Sequence, residues 1–231
     1  MKPSYRIYPE EIAAKGKGYL VLQSCRGEEA DKLLRRGREE LLGLGAAELY
    51  VTSRAPAAPL EEGVRAGCRL VHARDMLWME RGLEPPRGPA ERLTLEPLDR
   101  ARGGAWIALH NACFFDMPNS ATYGPRDLDR ALSPGHDCGF ALWQGALAGV
   151  YELELTGAAP EIEGIALKED LRGRGLGRAL LRAAMARLEA RGFARCGLLV
   201  ATDNAPAFSL YRAEGFRVAE VRSRWFQMLA E

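Results

Sequence analysis

Net charge is the first thing this chain has little of. Over 231 residues its formal charge is +1, which leaves no bulk electrostatic attraction for a nucleic acid or an anionic membrane. Cysteine clusters are also missing. The five cysteines (Cys25, Cys68, Cys113, Cys138 and Cys196) are odd in number, scattered, and include no Cys-x-x-Cys. That excludes a disulfide framework and the usual zinc spacings, and it fits a reducing cytoplasm with each thiol a small buried hydrophobe. No metal is expected. No apolar run follows Met1-Lys-Pro-Ser, so a signal peptide is not expected either. The most apolar stretch, Cys138 to Tyr151, is too short to span a bilayer. Gln144-Gly145 interrupts it, which predicts a hairpin rather than a membrane helix.

What is present is a core-forming composition, 47% hydrophobic, broken once by a Pro/Gly-rich run from Gly82 to Pro89. This sets a first part over residues 1–82, a linker over 83–91 and a second part over 92–231. In the second part, Arg92–Leu98 alternates like a strand, and a helix is predicted from about Gly104 to Phe115. A short helix over Asp127–Leu132 follows, then a hairpin of Phe140–Trp143 with Leu147–Leu155, and a strand over Glu161–Leu167. After these comes the most informative segment, Arg172-Gly173-Arg174-Gly175-Leu176-Gly177. Beyond it Leu176, Leu180, Leu181, Ala184 and Leu188 repeat at helical spacing, while Arg178, Arg182, Arg187 and Arg191 form a solvated face.

A strand, a glycine turn and a helix in that order make an anion cradle. Glycines admit left-handed dihedrals and close ligand approach, and the helix start offers free amides and a positive dipole end. Two familiar loops are excluded. No Lys-Ser or Lys-Thr follows Gly177, as a P-loop needs, and Gly173, Gly175 and Ala179 miss the Gly-x-Gly-x-x-Gly spacing. Downstream, Leu198–Asn204 has a strand pattern ending at Asn, and Ala205 to Phe216 follows with Tyr211 and Gly215. Asn204 and Tyr211 are seven residues apart, nearly two helical turns, so both face one side.

Arg-x-x-Gly-x-Gly followed by Asn-x-x-Ala-x-x-Leu-Tyr-x-x-x-Gly-Phe resembles the GNAT N-acetyltransferases over residues 93–231. The resemblance implies an α/β GNAT fold, a mixed and mainly antiparallel sheet flanked by helices. It implies acetyl-CoA as cosubstrate and acetyl transfer to a primary amine of a small molecule or peptide by direct attack in a ternary complex. By the same resemblance the pyrophosphate lies on Gly173, Arg174, Gly175, Leu176, Gly177 and Arg178, with Arg172 and Arg174 adding charge. The pantetheine arm pairs along Ile165, Ala166 and Leu167, and Asn204 faces the cofactor. Gly164 marks a bulge that opens the slot.

Tyr211 is then the candidate proton donor to the departing thiolate. The base is open between Glu161 and Glu163, because Leu199 stands where some family members carry a Glu. The family holds its acceptor with the segment His110–Tyr123; His110 and His136 are candidate assistants, and Trp225-Phe226 a candidate wall.

The first part repeats the C-terminal half of the second. A strand at Gly18–Leu22, a helix over Ala30–Leu44, a strand at Ala47–Val51, a short helix over Pro59–Ala66 and the Gly67–Met79 pattern align with it. Its turn, Ser24-Cys-Arg-Gly27-Glu28-Glu29, has one glycine and two acids, so carboxylates would repel a phosphate there. Residues 1–82 therefore form a degenerate, structural half-domain that covers the sheet of the second or builds a homodimer. Tandem GNAT proteins are a precedent. Alternative readings are another acyl-CoA or nucleophile, and a non-catalytic acyl-CoA-binding module.

Overall fold

The computed structural model describes residues 2–25, 28–83, 93–117, 120–157 and 159–230. Most of the linker region, Gly27, Pro118 and Asn119 lie outside the described residues. The elements in chain order are β1 (Ser4–Tyr8), α1 (Ile12–Lys15), β2 (Lys17–Ser24), α2 (Glu28–Gly43), β3 (Glu48–Ser53), β4 (Gly63–Arg65) and β5 (Cys68–Gly82). There follow β6 (Leu93–Pro97), α3 (Gly103–Phe114), α4 (Pro125–Ala131), β7 (His136–Trp143), β8 (Ala146–Glu154) and β9 (Glu161–Leu167). The chain ends with α5 (Leu176–Glu189), β10 (Arg195–Ala201), α6 (Ala205–Ala213) and β11 (Arg217–Leu229).

Two units pack separately. The first contains Met1–Leu77, Ala201–Asp203 and Val221–Glu231. Here β1 pairs antiparallel with β2, β2 runs parallel to β3 through the crossover α2, and β3 pairs with β11 at Val51↔Phe226 and Tyr50↔Gln227. A parallel pair needs such a crossover, and α2 earns its place by burying Leu34 and Leu41 against Leu20, Leu22 and Val51. Phe226 and Met228 complete that core, and Phe226 also lines a cavity of the first unit with Leu60, His72, Asp75 and Arg224.

The helix expected over Pro59–Ala66 is absent; β4 and a hairpin to β5 stand there instead. Gly63 at φ 134°, Ala66 at φ 57° and Gly67 at φ 73° take backbone conformations outside the right-handed helix. The left-handed Ala66-Gly67 pair closes a tight turn between Arg65 and Cys68.

The second unit contains Trp78–Val200 and Asn204–Glu220. Strands β6, β7, β8 and β9 pair antiparallel in sequence order, and β9 and β10 are parallel around α5. The β7–β8 turn is the expected one: Gln144 and Gly145 have φ 53° and 80°, the two left-handed residues of a type I′ hairpin. Along α5 the predicted stripe is the buried one, with Leu176, Leu180, Leu181, Ala184 and Leu188 all inside.

The arginines of α5 do more than face solvent. Arg187 donates to the buried Asp137 at 2.7 and 2.9 Å, Arg191 donates to the same carboxylate, and Tyr151 adds its hydroxyl at 3.1 Å. Burial pushes the Asp137 carboxyl up, but the two guanidiniums outweigh it and hold it below its usual range. Arg178 and Arg182 close on the buried Glu214 at 3.0 and 2.8 Å. All five cysteines are buried and free. Among the described residues no helix is long and apolar enough to cross a membrane.

Candidate active site

The glycine turn lies between the end of β9 and the start of α5. Gly173 and Gly175 have φ 75° and 77°, a region that a side chain with a Cβ rarely enters. Gly175 is the N-cap of α5 and offers no side-chain cap. The first intrahelical bond there runs from Ala179 N to Gly175 O at 3.4 Å. The amides of Leu176, Gly177 and Arg178 are therefore the orphan donors of the first turn, at the positive end of the helix dipole.

Side chains of this segment are mostly occupied. Arg172 donates to Leu167 O at 3.2 Å and Cys113 O at 2.8 Å, Arg178 pairs with Glu214, and Arg174 lies 6.0 Å over the Trp143 ring. The turn thus offers an anion its backbone, and Arg172 braces that backbone against β9 and α3.

Beside the turn the sheet splits. Among the described residues, β9 and β10 pair at Glu161↔Gly197 alone, so Ile165, Ala166 and Leu167 keep their β10-facing edge unpaired by that strand. On its other edge β9 pairs with β8 at Tyr151↔Ile165, Val150↔Ala166 and Gly149↔Leu167. The β8–β9 register slips between Glu152↔Gly164 and Leu153↔Ile162, leaving Glu163 as the extra residue of a β-bulge. Gly164 sits at a close approach: a Cβ there would lie 2.9 Å from Glu152 Oε1 and 3.1 Å from Phe114 Cζ.

The loop after β10 carries the other two predicted residues. Asn204 caps α6, accepting from Ala207 N at 3.3 Å, with its Nδ2 3.7 Å from Met117 Sδ. Tyr211 stands two turns on, its ring tilted against Phe216 at 5.9 Å. Its hydroxyl has no hydrogen-bond partner among the described residues. Burial pushes this phenol up to about 12, so it stays protonated throughout the neutral range.

Glu161 and Glu163 diverge. Glu161 opens β9 and is paired on both sides, with Glu154 and Gly197. Glu163 sits at the bulge, where Arg130 Nη1 donates to its two oxygens at 2.7 and 2.9 Å and His136 Nε2 lies 3.8 Å away. Burial raises the Glu163 carboxyl; Arg130 pulls it down, Glu152 pushes it up again, and the net direction is upward.

Behind Glu163 lies a cluster not legible in the sequence. Glu152, 2% exposed at its side chain, is 3.0 Å from His110 Nε2 and accepts from Tyr123 Oη at 3.0 Å. Tyr123 Oη in turn accepts from Arg130 Nη2 at 2.8 Å. The His110 ring stacks on Tyr123 at 3.6 Å and 7°, and on Phe114 at 4.5 Å. Only His110, Phe114 and Tyr123 carried a local signal, as members of the expected acceptor segment. Among the described residues no group of three or more His, Cys, Asp or Glu is placed to hold a metal ion.

Comparison with known proteins gives this arrangement a class. Residues 104–216 match the acetyltransferase (GNAT) family model. A mycothiol acetyltransferase of Clavibacter michiganensis is 32% identical over 91% of this chain and 73% of its own length. A GCN5-related N-acetyltransferase from Sphaerobacter thermophilus shares the fold at TM-score 0.63 and 19% identity, over 96% of this chain and 75% of its own. A tandem GNAT protein from the clavulanic acid biosynthesis pathway does so at TM-score 0.56 and 18% identity, over 93% and 75%. The chain belongs to the GNAT acetyltransferase family, and by that membership it is an acetyl-CoA-dependent N-acetyltransferase. It spans 73%, 40% and 66% of the lengths of three mycothiol acetyltransferases that it matches.

Proposed function

We propose that this chain acetylates a primary amine of a small molecule by direct attack on acetyl-CoA in a ternary complex, with Glu163 as base and Tyr211 as proton donor. The observation that carries the reading is the split between β9 and β10 beside the orphan amides of α5. An extended amide-bearing arm fits the free edge of β9 at Ile165–Leu167, and a pyrophosphate fits the amides at the helix start. Asn204 borders the same region from the cap of α6. The relatives called mycothiol acetyltransferases favour a small-molecule acceptor over a peptide.

An alkyl amine with pKa near ~10 is about one part in a thousand neutral at pH 7, so a base is needed. Glu163 supplies it from the bulge, and Glu161, held in the paired part of β9, does not. The amine nitrogen attacks the thioester carbon, the C–S bond breaks, and the coenzyme A sulfur leaves with a proton donated by Tyr211. The test is thiol release from acetyl-CoA across a panel of small amines and peptides, alongside calorimetric binding of acetyl-CoA. Turnover with at least one small amine is expected. Tight acetyl-CoA binding without turnover on any acceptor would point to a non-catalytic binding module.

Residues 1–82 fit a degenerate half-domain in this reading. The order β2–α2–β3 repeats β9–α5–β10, each a parallel pair around one helix, while β4 replaces the counterpart of α6. Deleting residues 1–85 removes β3 and most of the core around Phe226 and Met228, which are 2% and 6% exposed. The remainder is expected to aggregate or unfold at lower temperature. A remainder with unchanged melting and full activity would overturn the structural role.

A further inference from the structure

Two carboxylates, Glu152 and Glu163, face one guanidinium, that of Arg130. Arg130 Nη1 stands 2.7 Å from Glu163 Oε1, while its Nη2 donates to Tyr123 Oη at 2.8 Å and lies 3.8 Å from Glu152 Oε2. A buried carboxylate is costly unless donors surround it. Glu152 has that shell: His110 from α3, the Tyr123 hydroxyl from the loop before α4, and Arg130 from α4 itself. The shell is held rigidly. Asn111 accepts from Tyr123 N at 2.8 Å and donates to Tyr123 O at 3.1 Å, which clamps the ring onto His110.

Nothing in the proposed reaction uses Glu152 directly. Its side chain is buried against the bulge, where a Cβ on Gly164 would come within 2.9 Å of its Oε1. Yet it shares Arg130 with the group assigned as base. We infer that Glu152 is a positioning residue that opposes Arg130 and thereby sets how tightly Glu163 holds its proton.

This rests on Glu163 as the base. Arg130 alone, chelating Glu163 with one nitrogen, would turn that carboxylate into a weak base. The negative charge of Glu152 on the far side of the same guanidinium restores the basicity, and Tyr123 fixes the spacing between the three. The remaining groups facing Glu163 are His136 on β7, whose Nδ1 is bonded to Ser133 Oγ at 2.8 Å, and the buried Cys138 thiol, which burial keeps protonated.

The experiment is the pH dependence of kcat/KM for the acceptor in the full-length enzyme and four variants. Glu152→Gln, close in shape, is expected to move the acidic limb down by ~0.5 pH unit or more, because a like charge near Glu163 is gone. Arg130→Gln, at a half-exposed side chain, is expected to move it up. Glu152→Asp, which keeps the charge, is expected to leave the limb nearer to its original position than Glu152→Gln does. A merely structural role would lower the rate without opposite-signed shifts.

Glu163→Gln separates the two levels. If the limb survives in Glu163→Gln, the base is assigned wrongly and the inference falls with it. If Glu163→Gln abolishes the limb while Glu152→Gln leaves it in place or raises it, only the role of Glu152 is overturned. Should Glu152→Gln fail to fold, Glu152→Asp decides: it draws the charge back from Arg130 by one methylene, so a smaller downward shift is expected, and a raised or unmoved limb overturns the inference.

Discussion

Replacing Glu163 by Gln is expected to lower kcat/KM for the amine about 100-fold at pH 7 and to remove the acidic limb of the pH profile. General-base catalysis contributes roughly that much or more when the base is well placed. Gln keeps the size and the acceptor oxygen that Arg130 bonds, so the change isolates proton transfer. The sign in the parent enzyme follows from the site. Burial and Glu152 raise the Glu163 carboxyl more than Arg130 and His136 lower it. A base must be unprotonated, so activity is full above this raised value and falls as pH drops through it. The acidic limb is therefore expected above the ordinary range for Glu, about 4.3. Glu161→Gln serves as the contrast, with a rate within about threefold of the parent expected from its paired position at the start of β9. Rates at several pH values with one good amine check both. Equal losses in the two variants would remove Glu163 as the particular base.

Replacing Tyr211 by Phe is expected to lower kcat at least tenfold while acetyl-CoA still binds within about twofold, as calorimetry would measure. The ring packs on Phe216 and survives the change; only the hydroxyl is lost. A phenol pushed up to about 12 is a weak acid beside a thiol near ~8.5. It does not release its proton until negative charge builds on the sulfur, so it works as a hydrogen-bond donor aimed at developing charge. Two consequences separate this from a packing role. The loss falls on kcat and not on cofactor affinity, and no alkaline limb from Tyr211 is expected below about pH 11. Unchanged turnover in Tyr211→Phe would take it out of the mechanism.

Much of the second unit could be read along the chain because its signals are local. The stripe on α5 follows from helical spacing, the Gln144-Gly145 hairpin from residues that tolerate φ above zero, and the glycine turn from its place between strand and helix. The Pro59–Ala66 segment shows the opposite case. Its helix-like residues lost to three left-handed or glycine-only conformations at Gly63, Ala66 and Gly67, a turn signal that was present but outweighed by composition. For Glu163 the strand alternation placed it correctly on β9 but said nothing of Arg130, which lies 33 residues away on another element.

The sequence by itself determined the family and the left-handed glycine turn before α5, because backbone freedom at Gly173 and Gly175 and the spacing from Asn204 to Tyr211 are properties of contiguous residues. Only the tertiary structure decided which of the two glutamates stands in the opened part of the sheet. It also revealed that Glu152, Tyr123 and Arg130 bear on that glutamate. The physical reason is that a buried charge acts through distance and desolvation, and both are set by strands and helices far apart in the chain. A carboxylate in an ordinary alternating strand looks the same in sequence whether water or an arginine will face it.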